Sequence, residues 1–253
     1  MIRLTIQVST VKPALHEYTL TTPIPVSSPP QRLDLGGLKS FRKKNLRGVE
    51  KRLSEFTTIS SGSETRIFYE LCYCILTPQS SGRVCDGIVA GLVKKGVLRD
   101  PESRRFELEA GLKKTRFWRN KSRYIIRAWE RFASPQREQS LNGLLEMERD
   151  FTTPADFRSW LRGELRGLGI GMKEASHFLR NTGRYRGIAI VDRHVLACLT
   201  ELDSEGGQGK GLASEKDYLR REEEMIDFSI DSGIPLEELD LLFWSARTGY
   251  IFK

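Results

Sequence analysis

Apolar residues recur at intervals of three and four positions along most of this chain, which is the spacing of one face of an α-helix. The first clear stripe of this kind comprises Phe68, Leu71, Cys72, Ile75 and Leu76. Pro78 ends that stripe, and further stripes lie within residues 124–132, 157–165, 175–179 and 236–243. Since nearly every periodic segment follows the helical repeat, the sequence predicts an all-α core.

The first 45 residues differ in composition from the rest of the chain. Thr, Ser and Pro are frequent between residues 9 and 31, and the repeated prolines disfavour both helix and sheet. Residues 3–8 alternate polar and apolar side chains, as a short strand would. We therefore predict an irregular N-terminal extension of unknown role over residues 1–45, followed by a helical domain over residues 46–253. A flexible surface loop is expected at the glycine-rich residues 206–209.

A glycine-rich turn stands near the middle of this domain. Its glycines occupy alternate positions, Gly167, Gly169 and Gly171, directly before a segment with helical periodicity. Glycine tolerates the left-handed backbone of a tight turn, and the turn exposes backbone N–H groups beside the positive end of the helix dipole. Because such groups can hold a phosphate, we predict that these three glycines bind the DNA backbone.

Lys173 and Asp192 are the predicted catalytic residues. Lys173 falls in the first turn of the helix that follows the glycines, where the dipole and partial burial disfavour a protonated amine. A neutral amine is a nucleophile. Asp192 precedes another helical segment and can cap it, which would orient the carboxylate and keep it ionised. One amine and one oriented carboxylate are the minimum for base excision through a Schiff base.

The order of hairpin, lysine and distant aspartate resembles the helix-hairpin-helix DNA glycosylases, with the hairpin at about residues 160–180. A narrower resemblance, to the type-two 8-oxoguanine DNA glycosylase/lyases of archaea and bacteria, is carried by residues 68–79, 120–125, 173–181 and 248–253. This resemblance runs from about Leu46 to Lys253. It implies two helical subdomains with the active site between them and the hairpin at its edge.

The resemblance implies a bifunctional enzyme that removes 8-oxoguanine from double-stranded DNA and then cleaves the strand. Lys173 would displace the base from the anomeric carbon and form an imine, after which loss of the 2′ proton breaks the strand on its 3′ side. Asp192 would stabilise the oxocarbenium-like sugar. The reaction requires no cofactor, although hairpins of this superfamily often hold a monovalent cation on backbone carbonyls.

Recognition of the base is expected at the end of the sequence. The resemblance assigns Lys253 to this role, with its terminal carboxylate accepting from the N1 and N2 donors of a guanine-type edge. Trp244 offers a stacking face for an extruded base. The alternative is that Trp244 belongs to the core and Lys253 is a frayed end. Two histidines close to the catalytic pair, His177 and His194, are interpreted as structural.

The composition agrees with a DNA partner, since a formal net charge of +8 attracts phosphate. Four cysteines, Cys72, Cys74, Cys85 and Cys198, lack the spacing of an iron–sulfur cluster, and we interpret them as small buried hydrophobic residues. No run of about 18 apolar residues indicates a membrane partner. We expect a cytoplasmic, nucleoid-associated monomer with reduced thiols.

Two other functions stay open at this point. The same scaffold could act on an oxidised pyrimidine or an alkylated base, although the ending at residues 248–253 and the missing cluster cysteines favour 8-oxoguanine. A non-catalytic hairpin module that binds DNA or a partner would keep the hairpin, with Lys173 and Asp192 incidental. Such a module binds DNA without a covalent intermediate, which separates the two classes of function.

Overall fold

The computed structural model describes residues 18–30, 33–202, 212 and 214–253. Over these residues the chain forms eleven α-helices and one pair of two-residue strands. The helices are α1 (Leu35–Ser60), α2 (Glu64–Leu76), α3 (Gly82–Lys94), α4 (Arg105–Leu112), α5 (Trp118–Phe132), α6 (Leu141–Glu146), α7 (Pro154–Glu164), α8 (Met172–Asn181), α9 (Arg193–Leu202), α10 (Glu215–Ser232) and α11 (Leu236–Thr248). The strands are β1 (Ile24–Pro25) and β2 (Tyr250–Ile251), which pair antiparallel. The predicted all-α core is confirmed.

Side chains before the helices explain where several of them begin. Asp34 accepts from the N–H of Gly37 at 2.7 Å at the start of α1, and Ser63 accepts from Arg66 at 3.1 Å at the start of α2. Thr153 caps α7 in the same way, with a proline in the first turn. Each such cap contributes about 1 kcal/mol to helix stability, because it satisfies an N–H group that has no partner within the helix.

The helices pack around two hydrophobic clusters. One cluster is built mainly by α2 to α8, and the other by α1, α9, α10 and α11. Helix α8 belongs to both, because Met172 at its start packs in the second cluster while Ala175 and Phe178 pack in the first. The start of α8 therefore lies where the two clusters meet, as expected for a helical protein with two subdomains.

Two buried ion pairs cross this boundary. Arg158 of α7 pairs with Glu222 of α10, and Arg180 of α8 pairs with Asp240 of α11. Glu222 also accepts from the backbone N–H of Ala189 at 2.8 Å. Because an unpaired buried charge is strongly unfavourable, these pairs define how the two clusters fit together.

The prediction of an irregular extension through residue 45 is wrong for residues 35–45, which form the first part of α1. The cap at Asp34 and the apolar residues Leu38, Phe41 and Val49, which are buried on one face, outweigh the unfavourable composition of the segment. The strand suggested for residues 3–8 and the glycine-rich loop lie outside the described residues. Among the residues that are described, no helix is both long and apolar enough to span a membrane.

Candidate active site

The turn between α7 and α8 requires glycine at two positions. Gly167 and Gly169 have φ values of 84° and 72°, in the left-handed region. A Cβ atom at Gly169 would lie 2.5 Å from the ring of Tyr124 in α5, so a side chain there would force the ring or the turn to move. Gly171 has a different role, since its N–H donates to the carboxylate of Glu174 at 3.3 Å at the start of α8. The sequence pattern thus corresponds to a tight hairpin that is pressed against α5.

Replacing Gly169 with alanine should destabilise the protein by about 2 kcal/mol, because left-handed strain adds to the overlap with Tyr124. Gly163→Ala is the matched control, since this α7 glycine has open space at the Cβ position and should gain about 0.5–1 kcal/mol from helix propensity. Urea unfolding of both variants measures the difference. A Gly169→Ala variant as stable as the wild type would show that the turn is not constrained in this way.

Lys173 occupies the first turn of α8. Its side chain is 24% exposed, and its Nζ lies 3.8 Å from a carboxylate oxygen of Glu174. One turn further along the same face, His177 is buried. Burial lowers the pKa of the His177 imidazole well below its ordinary value, and the positive charges of Arg180, Lys173 and Lys253 lower it further. The charges of Lys173 and Lys253 therefore both act on this histidine.

Asp192 caps α9, as the sequence predicts. One of its carboxylate oxygens accepts from the N–H of His194 at 2.8 Å and from that of Val195 at 3.0 Å. The residues just before it are also held, because the N–H of Val191 donates to the Tyr218 hydroxyl at 3.3 Å. The half-buried carboxylate thus has a defined direction at the edge of the second hydrophobic cluster.

Lys253 is buried, so the alternative of a frayed end is wrong. Its ammonium donates to the Tyr18 hydroxyl at 2.6 Å and contacts the carboxylates of Glu70 at 3.1 Å and Asp86 at 2.7 Å. Its main-chain oxygen accepts from the Tyr73 hydroxyl at 3.0 Å. Both the side chain and the main chain of this residue are therefore held in place.

Trp244 is half-buried on α11. Its indole stacks on the ring of Phe252, with 6.3 Å between centroids, and meets Tyr250 edge-on at 5.0 Å. It also meets the ring of His194 edge-on at 6.2 Å. This tryptophan links the last residues of the sequence to the start of α9, where Asp192 lies.

These contacts bring the predicted residues into one region. The ring of His177, one turn from Lys173, packs edge-on against Tyr73 with 5.4 Å between centroids. Tyr73 in turn holds the main chain of Lys253. His194, two residues after Asp192, contacts Trp244, which stacks on Phe252 next to Lys253. The region coincides with the boundary between the two hydrophobic clusters, where α8 begins.

Four residues around Lys253 were not predicted from the sequence: Tyr18, Glu70, Tyr73 and Asp86. Glu70 and Asp86 are fully buried carboxylates within apolar helices. A carboxylate in such a position requires a charged or hydrogen-bonding partner, so each was a signal that could have been used. Tyr18 carries no comparable signal, because its partners lie far away in the sequence.

The buried His177 should make stability depend on pH. Its imidazole stays neutral in the folded protein but gains a proton in the unfolded chain below about pH 6.5. Stability should therefore fall as the pH falls through this range, by up to about 1.4 kcal/mol per pH unit. Urea unfolding at pH 7, 6 and 5 should show a smaller decline in His177→Gln than in the wild type. Parallel declines would mean that this histidine does not titrate on unfolding.

The cysteine side chains are buried as free thiols, as predicted: Cys72, Cys74, Cys85 and Cys198. Burial raises the pKa of Cys85 to about 11 and that of Cys72 further, so both stay protonated at neutral pH. Over the described residues, no group of three or more His, Cys, Asp or Glu side chains is arranged to hold a metal ion.

Comparison with known proteins identifies the family. The family model described as 8-oxoguanine DNA glycosylase matches residues 49–234. The 8-oxoguanine DNA glycosylase/AP lyase of Fusobacterium nucleatum is 36% identical, covering 81% of this chain and 90% of that protein. The relative of the same name from Methanocaldococcus jannaschii is also 36% identical, covering 85% and 96%.

Solved structures agree with this result. The crystal structure of the Methanocaldococcus jannaschii 8-oxoguanine glycosylase/lyase in complex with a 15mer DNA containing 8-oxoguanine has a TM-score of 0.71 and 31% identity, over 87% of this chain and 99% of that one. The Thermotoga maritima 8-oxoguanine DNA glycosylase has a TM-score of 0.69 and 28% identity, over 87% and 98%. This chain therefore belongs to the helix-hairpin-helix family of 8-oxoguanine DNA glycosylases.

Proposed function

We propose that this protein excises 8-oxoguanine from double-stranded DNA and cleaves the strand at the resulting abasic site. It is a DNA glycosylase and AP lyase, the pair of activities for which its relatives are named. The proposal is supported by the position of Lys173 at the start of the second hairpin helix, where the two hydrophobic clusters meet, and by the ring contacts that join His194, next to Asp192, to Trp244 and Phe252.

Lys173 supplies the nucleophile in this proposal. Its neutral amine attacks the anomeric carbon, and the base leaves with the electron pair of the glycosidic bond and takes up a proton. The anomeric carbon then carries the lysine nitrogen and the ring oxygen; the nitrogen expels this oxygen, which takes up a proton, and the product is a protonated imine that links the lysine to the sugar. Loss of a 2′ proton then expels the 3′ phosphate by β-elimination, and water releases the enzyme. The partial exposure of Lys173 allows a DNA sugar to reach it.

Asp192 is proposed to stabilise positive charge on the sugar as the base departs. Its carboxylate is aimed by two backbone N–H groups, so the negative charge is oriented before the substrate arrives. A preorganised charge is most effective in a site from which water is excluded. The same carboxylate can accept protons during the later imine steps.

The base is proposed to bind between Lys253 and Trp244. The main-chain oxygen atoms of Lys253 would accept from the N1 and N2 donors of the guanine-type edge, and the indole would provide a stacking surface. The Tyr73 hydroxyl supports this role, since it holds the main chain of Lys253 beside the helix that carries Lys173.

Backbone amides of Gly167 and Gly169 are proposed to hold a DNA phosphate, whereas the N–H of Gly171 is already bonded to Glu174. A monovalent cation on the backbone carbonyls of this turn would add positive charge there. Exposed basic residues, Arg116, Arg119 and Arg123, lie just before and within the first turns of helix α5, which contacts the turn through Tyr124. They would extend the phosphate-binding surface of a monomer. The affinity for DNA would then fall strongly with salt concentration, because binding releases counterions from the phosphates.

A panel of duplex substrates tests the specificity. Each duplex carries 8-oxoguanine, guanine, an oxidised pyrimidine, an alkylated base or an abasic site at one position, and strand cleavage is followed on a denaturing gel. We expect cleavage of the 8-oxoguanine and abasic duplexes only. If the enzyme cleaves the abasic and oxidised-pyrimidine duplexes but not the 8-oxoguanine duplex, the proposed mechanism is supported and 8-oxoguanine is rejected as the substrate.

A further inference from the structure

The segment from Tyr18 to Val26, called here the N-terminal clamp, contacts the last residues of the sequence. It precedes the region that the family model matches, which begins at residue 49. Its β1 strand pairs with β2, so that Ile24 lies opposite Ile251. The N–H of Val26 extends the pairing by donating to the carbonyl of Gly249 at 3.1 Å. The main chain just before Lys253 is thus fixed by backbone hydrogen bonds.

The clamp also completes the surroundings of the Lys253 ammonium. This group is almost fully buried between the carboxylates of Glu70 and Asp86, and it lies over the rings of Tyr18 at 4.5 Å and Tyr73 at 4.4 Å. A buried ammonium is stable only when its charge and its N–H groups are matched by partners. Of these four partners, Tyr18 is supplied by the clamp.

Asp86 also accepts hydrogen bonds from the clamp. Its carboxylate accepts from the Tyr18 hydroxyl at 2.6 Å and from the backbone N–H of Thr21 at 2.7 Å. Burial and the negative charges of Glu70 and Asp86 raise the pKa of Tyr18 well above its ordinary value, so the hydroxyl keeps its proton. The hydroxyl therefore donates to Asp86 while it accepts from Lys253.

We propose that the N-terminal clamp positions the main chain of Lys253 for recognition of the damaged base, with Tyr18 as its central positioning residue. The inference rests on the proposed role of Lys253 in base binding. Strand pairing holds the backbone on one side, and the hydrogen-bonded chain from Lys253 through Tyr18 to Asp86 holds the side chain on the other.

The test compares two reactions of the same enzyme. Excision of 8-oxoguanine requires the base pocket, whereas cleavage at a preformed abasic site does not, because the base is already absent. Tyr18→Phe keeps the ring over the ammonium but removes the hydroxyl between Lys253 and Asp86. We expect single-turnover excision to fall about tenfold, the effect of losing about 1.4 kcal/mol of positioning energy, while abasic-site cleavage stays within about twofold of the wild type.

Normalisation keeps the result independent of folding yield. The fraction of active protein is counted by borohydride trapping on abasic DNA before each excision assay. Tyr185→Phe is the matched control, because it removes a tyrosine hydroxyl whose one hydrogen bond within the described part of the chain is to an exposed threonine, Thr57, at 3.3 Å. It should leave the ratio of excision to abasic cleavage unchanged.

A double-mutant cycle tests whether Tyr18 and Asp86 act together through Lys253. Asp86→Asn should lower the same ratio, and the Tyr18→Phe and Asp86→Asn double variant should lose no more than the worse single variant, because both act through Lys253. If the two substitutions lower the ratio of excision to abasic cleavage independently, so that their effects multiply, Tyr18 and Asp86 do not act together through Lys253. An unchanged ratio in Tyr18→Phe would also overturn the proposal.

A variant that lacks Lys253 separates the two levels of the argument, because it removes the main-chain oxygen atoms that are proposed to accept from the base. If this variant excises 8-oxoguanine normally, the proposed base-binding role of Lys253 is wrong, and the clamp proposal loses its basis. If it loses excision selectively while Tyr18→Phe does not, Lys253 binds the base but the clamp does not position it. Selective loss in both variants supports both statements.

Discussion

Lys173→Gln should lose 8-oxoguanine excision by a factor on the order of 10⁴ and should form no borohydride-trapped adduct on either 8-oxoguanine or abasic duplexes. The amide is close to lysine in length but cannot attack the anomeric carbon or form an imine. Because only the end of the side chain at the start of α8 is changed, binding of the duplex at low salt should change much less than catalysis.

Single-turnover cleavage and adduct trapping on a denaturing gel measure this effect. Lys216→Gln provides a matched control, since Lys216 is also the second residue of its helix, α10, and is exposed. It should retain wild-type rates. An adduct that persists in Lys173→Gln would assign the nucleophile to another amine, and the loss of duplex binding together with catalysis would indicate a structural role for Lys173.

Asp192→Asn should lower the excision rate by a factor on the order of 10² to 10³ with little loss of stability, because asparagine keeps the helix cap while the negative charge is removed. Asp192→Ala should lose catalysis to a similar extent and, in addition, about 1 kcal/mol of stability. The difference between these two variants separates the capping function, seen in the bonds to His194 and Val195, from the catalytic one.

Single-turnover excision and urea unfolding are measured on both variants. Asp34→Asn is the control, since Asp34 also caps a helix, by accepting from the N–H of Gly37 in α1, and lies outside the candidate site. It should leave excision unchanged. If Asp192→Asn excises the base at the wild-type rate and only Asp192→Ala is destabilised, Asp192 acts as a helix cap and has no catalytic role.

Much of the candidate site could be predicted because its signals are local. The alternating glycines predict a turn, and two of them do adopt a left-handed backbone. The position of Asp192 before an apolar stripe predicts a cap, and its carboxylate does accept from the first turn of α9. Such features depend on residues only a few positions apart, so backbone preferences and helix periodicity are sufficient to predict them.

Local sequence signals did not predict the structure of the N-terminal residues. Ser and Pro content predicted an irregular segment up to residue 45, whereas helix formation begins at Leu35 because one cap and one buried face outweigh composition. The conformation of residues 18–26 has a different cause. These residues are held by partners on β2 and α3 rather than by any periodicity of their own.

The sequence by itself determined the helices, the hairpin turn and the cap at Asp192, since each depends on chemistry contained in a short segment. Only the tertiary structure decided that α8 joins two hydrophobic clusters and that Lys253 is buried against Tyr18, Glu70 and Asp86. Those contacts join residues up to 235 positions apart. Their physical basis is the need to pair buried charges, and which charges become neighbours is settled only when the helices pack.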